Sequence, residues 1–182
     1  MVKSGAVPDY LREGLKVLFV GFNPSIRSAE TGHHYANPNN RFWNILYKAG
    51  LTPRRYAPEE DHLLLELGYG LTNIVKRPTP GSVDITREEY AAGREVLSRK
   101  IASYRPRVVC YVGKGVYNEY RKKQGVSRTG KTCWVSWGVQ EEPVIPGVVD
   151  FVAPSSSGLV RMGMDQVVAI YRQLAELISL IP

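Results

Sequence analysis

Four short runs, Lys16 to Gly21, Gly70 to Val75, Arg107 to Val112 and Val149 to Ala153, constrain this chain more than anything else in it. They are too short for buried helices and rich in the β-branched and aromatic residues that suit strands. Between them lie segments with helical periodicity. Phe42, Ile45, Leu46 and Ala49 fall at i, i+3, i+4 and i+7, with Gly50 as a stop. Thr86 and Glu89 form a capping box ahead of a face made by Tyr90, Leu97, Ile101 and Tyr104, and Pro106 ends that helix. Val167, Ile170, Tyr171, Leu174, Leu177 and Ile178 mark a C-terminal helix. Strands alternating with helices predict an α/β fold around a mostly parallel sheet. A weaker strand signal, Thr132 to Trp137, suggests an edge strand or hairpin.

At 182 residues the chain suits a single domain spanning 1–182. The N-terminal stretch lacks the apolar core of a signal peptide and no run is long enough to span a bilayer, which predicts a cytoplasmic, nucleoid-associated protein with no membrane partner. Two cysteines, Cys110 and Cys133, are too few for a disulfide framework, a four-cysteine zinc site or an iron–sulfur cluster, and read as reduced thiols. The net charge of +7 permits a polyanionic partner, although the basic run Tyr120 to Lys131 reads first as a solvated loop.

Ligands of open α/β sheets bind beyond the carboxyl ends of the strands, where strand order reverses. Three segments occupy such ends: "GFNPS" after the first strand, "TNIVKRPTPGS" through and beyond the second, and "APSSSGLVR" after the last. The first is no dinucleotide fingerprint: it lacks the second and third glycines, and Pro24 removes an N–H. No nucleotide cofactor is therefore expected. No G-x-S-x-G is present, and His33, His34 and His62 offer neither a hydrolase triad nor a clear third metal ligand, so those histidines read as polar surface and no metal is expected. An asparagine at a strand end is no strong base. It can hold a water through its carbonyl oxygen and a polar substrate edge through its NH2. That suits a reaction whose leaving group departs largely unaided, such as hydrolysis of a nucleobase glycosidic bond through an oxocarbenium-like transition state.

"GFNPS", "TGHHYANPNNRFWNILYKAGL" (Thr31 to Leu51), "GLTNIVKRPTPGS" (Gly70 to Ser82) and "PSSSGL" (Pro154 to Leu159) together resemble the motifs of the mismatch-specific uracil-DNA glycosylase and thymine-DNA glycosylase family. The resemblance runs in order over most of the chain. It implies a three-layer α/β/α sandwich, no cofactor, and a monomer acting on double-stranded DNA with G·U or G·T mismatches, from which the base is removed to leave an abasic site. Position by position, Asn23 matches the catalytic asparagine that places the water, and Phe22 the neighbouring pocket residue whose backbone contacts the base. Tyr35 falls where an aromatic ring stacks on the extruded base, and Asn73 where an asparagine reads its polar edge. Thr79 keeps a hydroxyl found near the methyl-accommodating part of thymine-type pockets. No lysine lies within the catalytic motif, which disfavours a Schiff-base lyase step.

The physical reading runs alongside. A base inside a duplex cannot present its glycosidic carbon, so the nucleotide must be rotated out, and a mispair opens at lower cost. Ser155 and Ser157, with N–H groups near the start of the C-terminal helix, can grip flanking phosphates. Gly158 permits a tight turn, Leu159 is the wedge that fills the vacated stack, and Arg161 reaches the backbone or the orphaned guanine. The residue after Pro24 is Ser25, where bacterial mismatch enzymes often have glycine, and Asn rather than Asp stands at the strand end. The serine bears on the backbone geometry of the pocket, while the asparagine, with no histidine in the "PSSSGL" loop, implies slow turnover and a broader base range. Asp84 is the nearest acid that could assist the water, against a plainer role as a capping residue. A non-catalytic mismatch or lesion binder and an enzyme of free nucleosides are the competing functions.

Overall fold

A computed structural model describes residues 6–122 and 135–181. Its centre is a five-stranded sheet of β1 (Val17–Gly21), β2 (Tyr69–Asn73), β3 (Val108–Val112), β4 (Gly138–Val139) and β5 (Val149–Ala153), in the order β2-β1-β3-β5-β4. All pairings are parallel except β4 with β5. The four principal strands thus lie within two residues of their expected bounds. The fifth signal is displaced: the edge strand is Gly138–Val139, and of the expected Thr132 to Trp137 only 135–137 are described, as irregular chain. Cys133 and most of the basic run Tyr120 to Lys131 lie outside the described residues.

Alternation along each strand builds two cores. Val17 and Phe19 of β1, with Val108, Cys110 and Val112 of β3, face α2 (Phe42–Lys48) and α5 (Met164–Ser179). Leu18 and Val20, with Val109 and Tyr111, face α3 (Arg87–Tyr104) and α4 (Lys114–Arg121). The result is the three-layer α/β/α sandwich. Cys110 is wholly buried, and burial raises its thiol pKa far above the usual range. Among the described residues no helix is long and apolar enough to cross a membrane.

The α3 capping box forms as expected: Thr86 Oγ1 accepts from Glu89 N at 3.2 Å, while Glu89 accepts from Thr86 N at 2.9 Å. Such a cap satisfies two otherwise orphaned donors and is worth about 1 kcal/mol. Two further elements complete the covering layers: α1 (Ile26–Thr31) and a 3-10 helix over Pro58–Leu67. The N-terminal segment closes the exposed edge of β2, where Tyr10 and Leu71 exchange N–H···O bonds of 2.9 and 3.0 Å.

Candidate active site

In this sheet the strand order reverses beside β1, whose neighbours β2 and β3 both follow it in sequence. A cavity of about 420 Å3 opens at the carboxyl end of these strands. Phe22, Asn23, Tyr35, Asn73, Thr79, Ser155, Ser157 and Leu159 all line it, so the fold gathers residues from four separate stretches of sequence around one space. Arg161 is exposed on the same loop but outside the cavity wall, and Gly158 lies at the loop tip.

The exits of β1 and β2 are zipped together beyond the sheet. Ile74 N donates to Gly21 O and Val75 N to Phe22 O, both at 2.9 Å, and Thr79 N reaches Pro24 O at 3.3 Å. This pairing sets the position of Asn23. Its Nδ2 spends both hydrogens, one on Arg77 O at 2.8 Å and one on Thr79 Oγ1 at 2.7 Å. Thr79 Oγ1 in turn donates to Gly81 O at 2.6 Å. The carbonyl limb, Oδ1, is the part of the amide left without a partner among the described residues. Two expectations change here. The Asn23 NH2 is not free to bind a substrate edge, and Thr79, 2% exposed, has its hydroxyl committed to Asn23 and Gly81.

The loop carrying the clamp is itself anchored. Arg77 pairs with Glu89 at the start of α3 and donates to Asp84 O at 2.9 Å. The ion pair and the helix-start hydrogen bonds hold the Glu89 carboxyl down at about 2. Asp84 is exposed, lies outside the cavity wall and accepts from Gly81 N at 3.1 Å, a capping role for a short turn. Phe22 turns its ring away, toward Tyr90 (centroids 6.3 Å apart) and against Gly115, where a Cβ would lie 2.6 Å from the ring tip.

Tyr35 is held from behind by a stack on Phe42, with centroids 3.8 Å apart and planes 14° off parallel. Its backbone is left-handed, φ +51°, an uncommon state for a tyrosine. The neighbouring residues hold it there. Ala36 N donates to Ser28 Oγ at 3.1 Å, and His34 N donates to the wholly buried Asp61 at 2.9 Å. Asp61 also accepts from Tyr10 Oη at 2.9 Å and lies 3.3 Å from His33 Nδ1. Burial with the Asp61 hydrogen bond pushes the Tyr10 hydroxyl up to about 12. His34 is therefore no surface residue. It is buried, its pKa is lowered by that burial, and Nε2 donates to Pro8 O at 2.6 Å. Among the described residues no group of three His, Cys, Asp or Glu side chains is placed to hold a metal ion.

The serine loop departs from expectation in two respects. Helix α5 starts at Met164 with Gly163 as its cap, so Ser155 and Ser157 are not at a helix start. Instead Ser155 Oγ accepts from Ser157 N and Ser157 Oγ from Leu159 N, both at 3.3 Å, two local turns that shape the loop. Gly158 does not adopt a left-handed turn; glycine is needed because a Cβ there would lie 2.7 Å from Asn39 O. Leu159 is 93% exposed at the cavity rim. Val83, which also lines the cavity and is 92% exposed, was not singled out in the sequence.

Residues 8–175 match the family model described as the uracil DNA glycosylase superfamily. The chain belongs to this superfamily. Its coarse activity follows from that membership: hydrolysis of an N-glycosyl bond that joins a base to DNA. The fold is also that of a solution NMR structure from Methanosarcina acetivorans, named a "putative uracil DNA glycosylase", at 22% identity and a TM-score of 0.57, covering 94% of this chain and 98% of that one. Within a superfamily member, the cavity at the β1 and β2 exits is the place to look for the base pocket.

Proposed function

We propose that this protein is a monofunctional, mismatch-directed DNA glycosylase. It turns uracil opposite guanine, and thymine with lower efficiency, out of the duplex and hydrolyses its glycosidic bond to leave an abasic site. The observation that carries the reading is the clamped Asn23 amide, whose two N–H bonds leave only Oδ1 to face a water. An amide carbonyl accepts a hydrogen bond from that water and orients it, but takes no proton at neutral pH. The base must therefore leave as an anion while positive charge builds on the sugar, and the oriented water adds late, its oxygen bonding to the sugar carbon while its proton passes to the departed base anion.

The remaining residues serve this step. The base enters over the free face of the Tyr35 ring, where stacking contributes roughly 1–3 kcal/mol. Asn73, at the end of β2 and in register with Gly21, reads its polar edge. Leu159 occupies the space the nucleotide leaves, and the hydroxyls of Ser155 and Ser157, together with Arg161, contact the flanking backbone. The overall positive charge favours the DNA encounter.

A labelled duplex carrying one G·U pair, incubated with the protein and then treated with alkali, is expected to break at the uracil, more slowly for G·T, and to stay intact without alkali. Intact strands for G·U, G·T and single-stranded uracil alike, with tight mismatch binding, would instead identify a lesion binder. Leu159→Ala is expected to lower excision from duplex about tenfold and leave single-stranded uracil nearly unaffected, since a single strand has no stack to refill. Equal loss on both substrates removes the wedge role.

A further inference from the structure

Gly21 is the last residue of β1, and its backbone does not require glycine, since its φ is not in the left-handed region. Space requires it. A Cβ there would lie 2.6 Å from Asn73 Oδ1 and 3.2 Å from the Tyr35 hydroxyl, so both polar groups converge on the strip of backbone that glycine leaves bare. The Tyr35 hydroxyl is buried and has no hydrogen-bond partner among the described residues. The Asn73 side chain makes no hydrogen bond among them either. Two unpaired polar groups meeting at the floor of an otherwise well-bonded cavity call for a common partner or for one another.

The two groups are unequal in freedom. Tyr35 is fixed by its stack on Phe42, its left-handed backbone and the bonds of His34 and Ala36 on either side. Asn73 is a short amide at a strand end, half-buried, able to present either limb to the cavity. Its Oδ1 is the limb turned toward Gly21 and Tyr35, which leaves Nδ2 for the cavity. Burial raises the Tyr35 pKa far above the usual range, so the hydroxyl keeps its proton at any working pH.

We propose that the Tyr35 hydroxyl is a positioning group that donates to Asn73 Oδ1 through one bridging water, and so holds the amide with its NH2 toward the base. The pocket floor then offers a donor. It accepts bases that present a carbonyl oxygen, such as uracil, thymine or hypoxanthine, and rejects bases that present an exocyclic amine, such as cytosine. Without the hydroxyl the amide is free to flip and offer its oxygen to an amine. The inference rests on the glycosylase reading above and adds to it the origin of the discrimination.

The test compares duplexes with 5-fluorouracil or 5-fluorocytosine opposite guanine, because the fluorine makes both bases competent leaving groups. Single-turnover rates are measured for the wild type, Tyr35→Phe and Gly21→Ala. Tyr35→Phe keeps the ring and its stack, and the ratio of uracil-type to cytosine-type excision is expected to fall about fivefold to tenfold, the value of one neutral hydrogen bond. Gly21→Ala pushes the Asn73 oxygen out of place and is expected to lower the same ratio. A merely structural role for the hydroxyl slows both substrates equally or shifts only the melting temperature. An unchanged ratio in both variants, with an active wild type, overturns this inference alone. A wild type that releases neither base overturns the glycosylase reading together with it.

Discussion

Two asparagines stand at the ends of adjacent parallel strands, one loop-turn apart, and the fold treats them in opposite ways. Asn23 has both amide hydrogens tied to Arg77 O and Thr79 Oγ1. Asn73 makes no hydrogen bond among the described residues and leans on bare glycine backbone beside an unpaired hydroxyl. The first is a finished device: its orientation is set before any ligand arrives, at no cost during the reaction. The second is completed by what enters. On the reading proposed above, a pocket built this way separates the task that never changes, holding a water, from the task that must discriminate.

That contrast is broken most directly by Asn23→Ala. Loss of a preorganised polar contact at a transition state costs about 2.7–4 kcal/mol, so single-turnover excision is expected to fall about 10²–10³-fold with duplex affinity unchanged. A variant as fast as the wild type shifts the water to another group.

Because neither amide titrates, the single-turnover rate is expected to be flat from about pH 5 to 8, and any pH dependence should trace to folding. The group to watch is Asp150, far from the amides on the opposite face of the sheet. It accepts from Val144 N at 2.8 Å and Tyr111 Oη at 3.1 Å, and burial lifts its carboxyl to about 6. A folded pKa above the unfolded value of 3.8 means the stabilising contribution is full below that value and is lost as pH rises through about 6. The loss is on the order of 2–3 kcal/mol. Asp150→Asn is expected to flatten the decline in melting temperature over that window and leave the excision rate alone. A bell-shaped rate profile that survives in this variant contradicts the account of Asn23.

The smallest effect sharpens the clamp. Thr79→Val leaves one Asn23 hydrogen unpaired at a buried position, which costs about 1–2 kcal/mol, and about a fivefold drop in rate is expected, with Thr79→Ser restoring it. If valine is neutral, Arg77 O alone holds the amide.

The layers of this fold were legible because parallel strands buried on both faces read as nearly continuous apolar runs, and β3, VVCYV, begins within one residue of its expected start for that reason. The capping box of α3 was equally plain, since its two residues act on each other across three positions. Helix α4 was not: its buried face is Val116, Tyr117 and Tyr120, a tyrosine surface behind two glycines that periodicity alone does not single out. Asp61 follows Glu59 and Glu60, and nothing in that run marks it for the core, yet it is fully buried, with His34 N and Tyr10 Oη converging on it from distant parts of the chain. The same limit applied at the cavity. Sequence pattern placed Asn23 and Thr79 at strand exits, but only the chain's return over 54 residues reveals that a backbone carbonyl takes one amide hydrogen and the threonine the other. The Thr79 hydroxyl lines the cavity and is at the same time bonded to Asn23 and to Gly81 O.

The N-terminal segment that closes the β2 edge has a second consequence. Pro8 O holds the His34 ring, Asp9 is bonded to Thr72 at 2.7 Å and paired with Lys100, and Val7 reaches the cavity wall. One stretch of chain thus guards the sheet against intermolecular strand pairing and props the loop that carries Tyr35. The edge of the sheet and the wall of the cavity share a fastening, so a change made in this stretch for the sake of expression is also a change to the pocket.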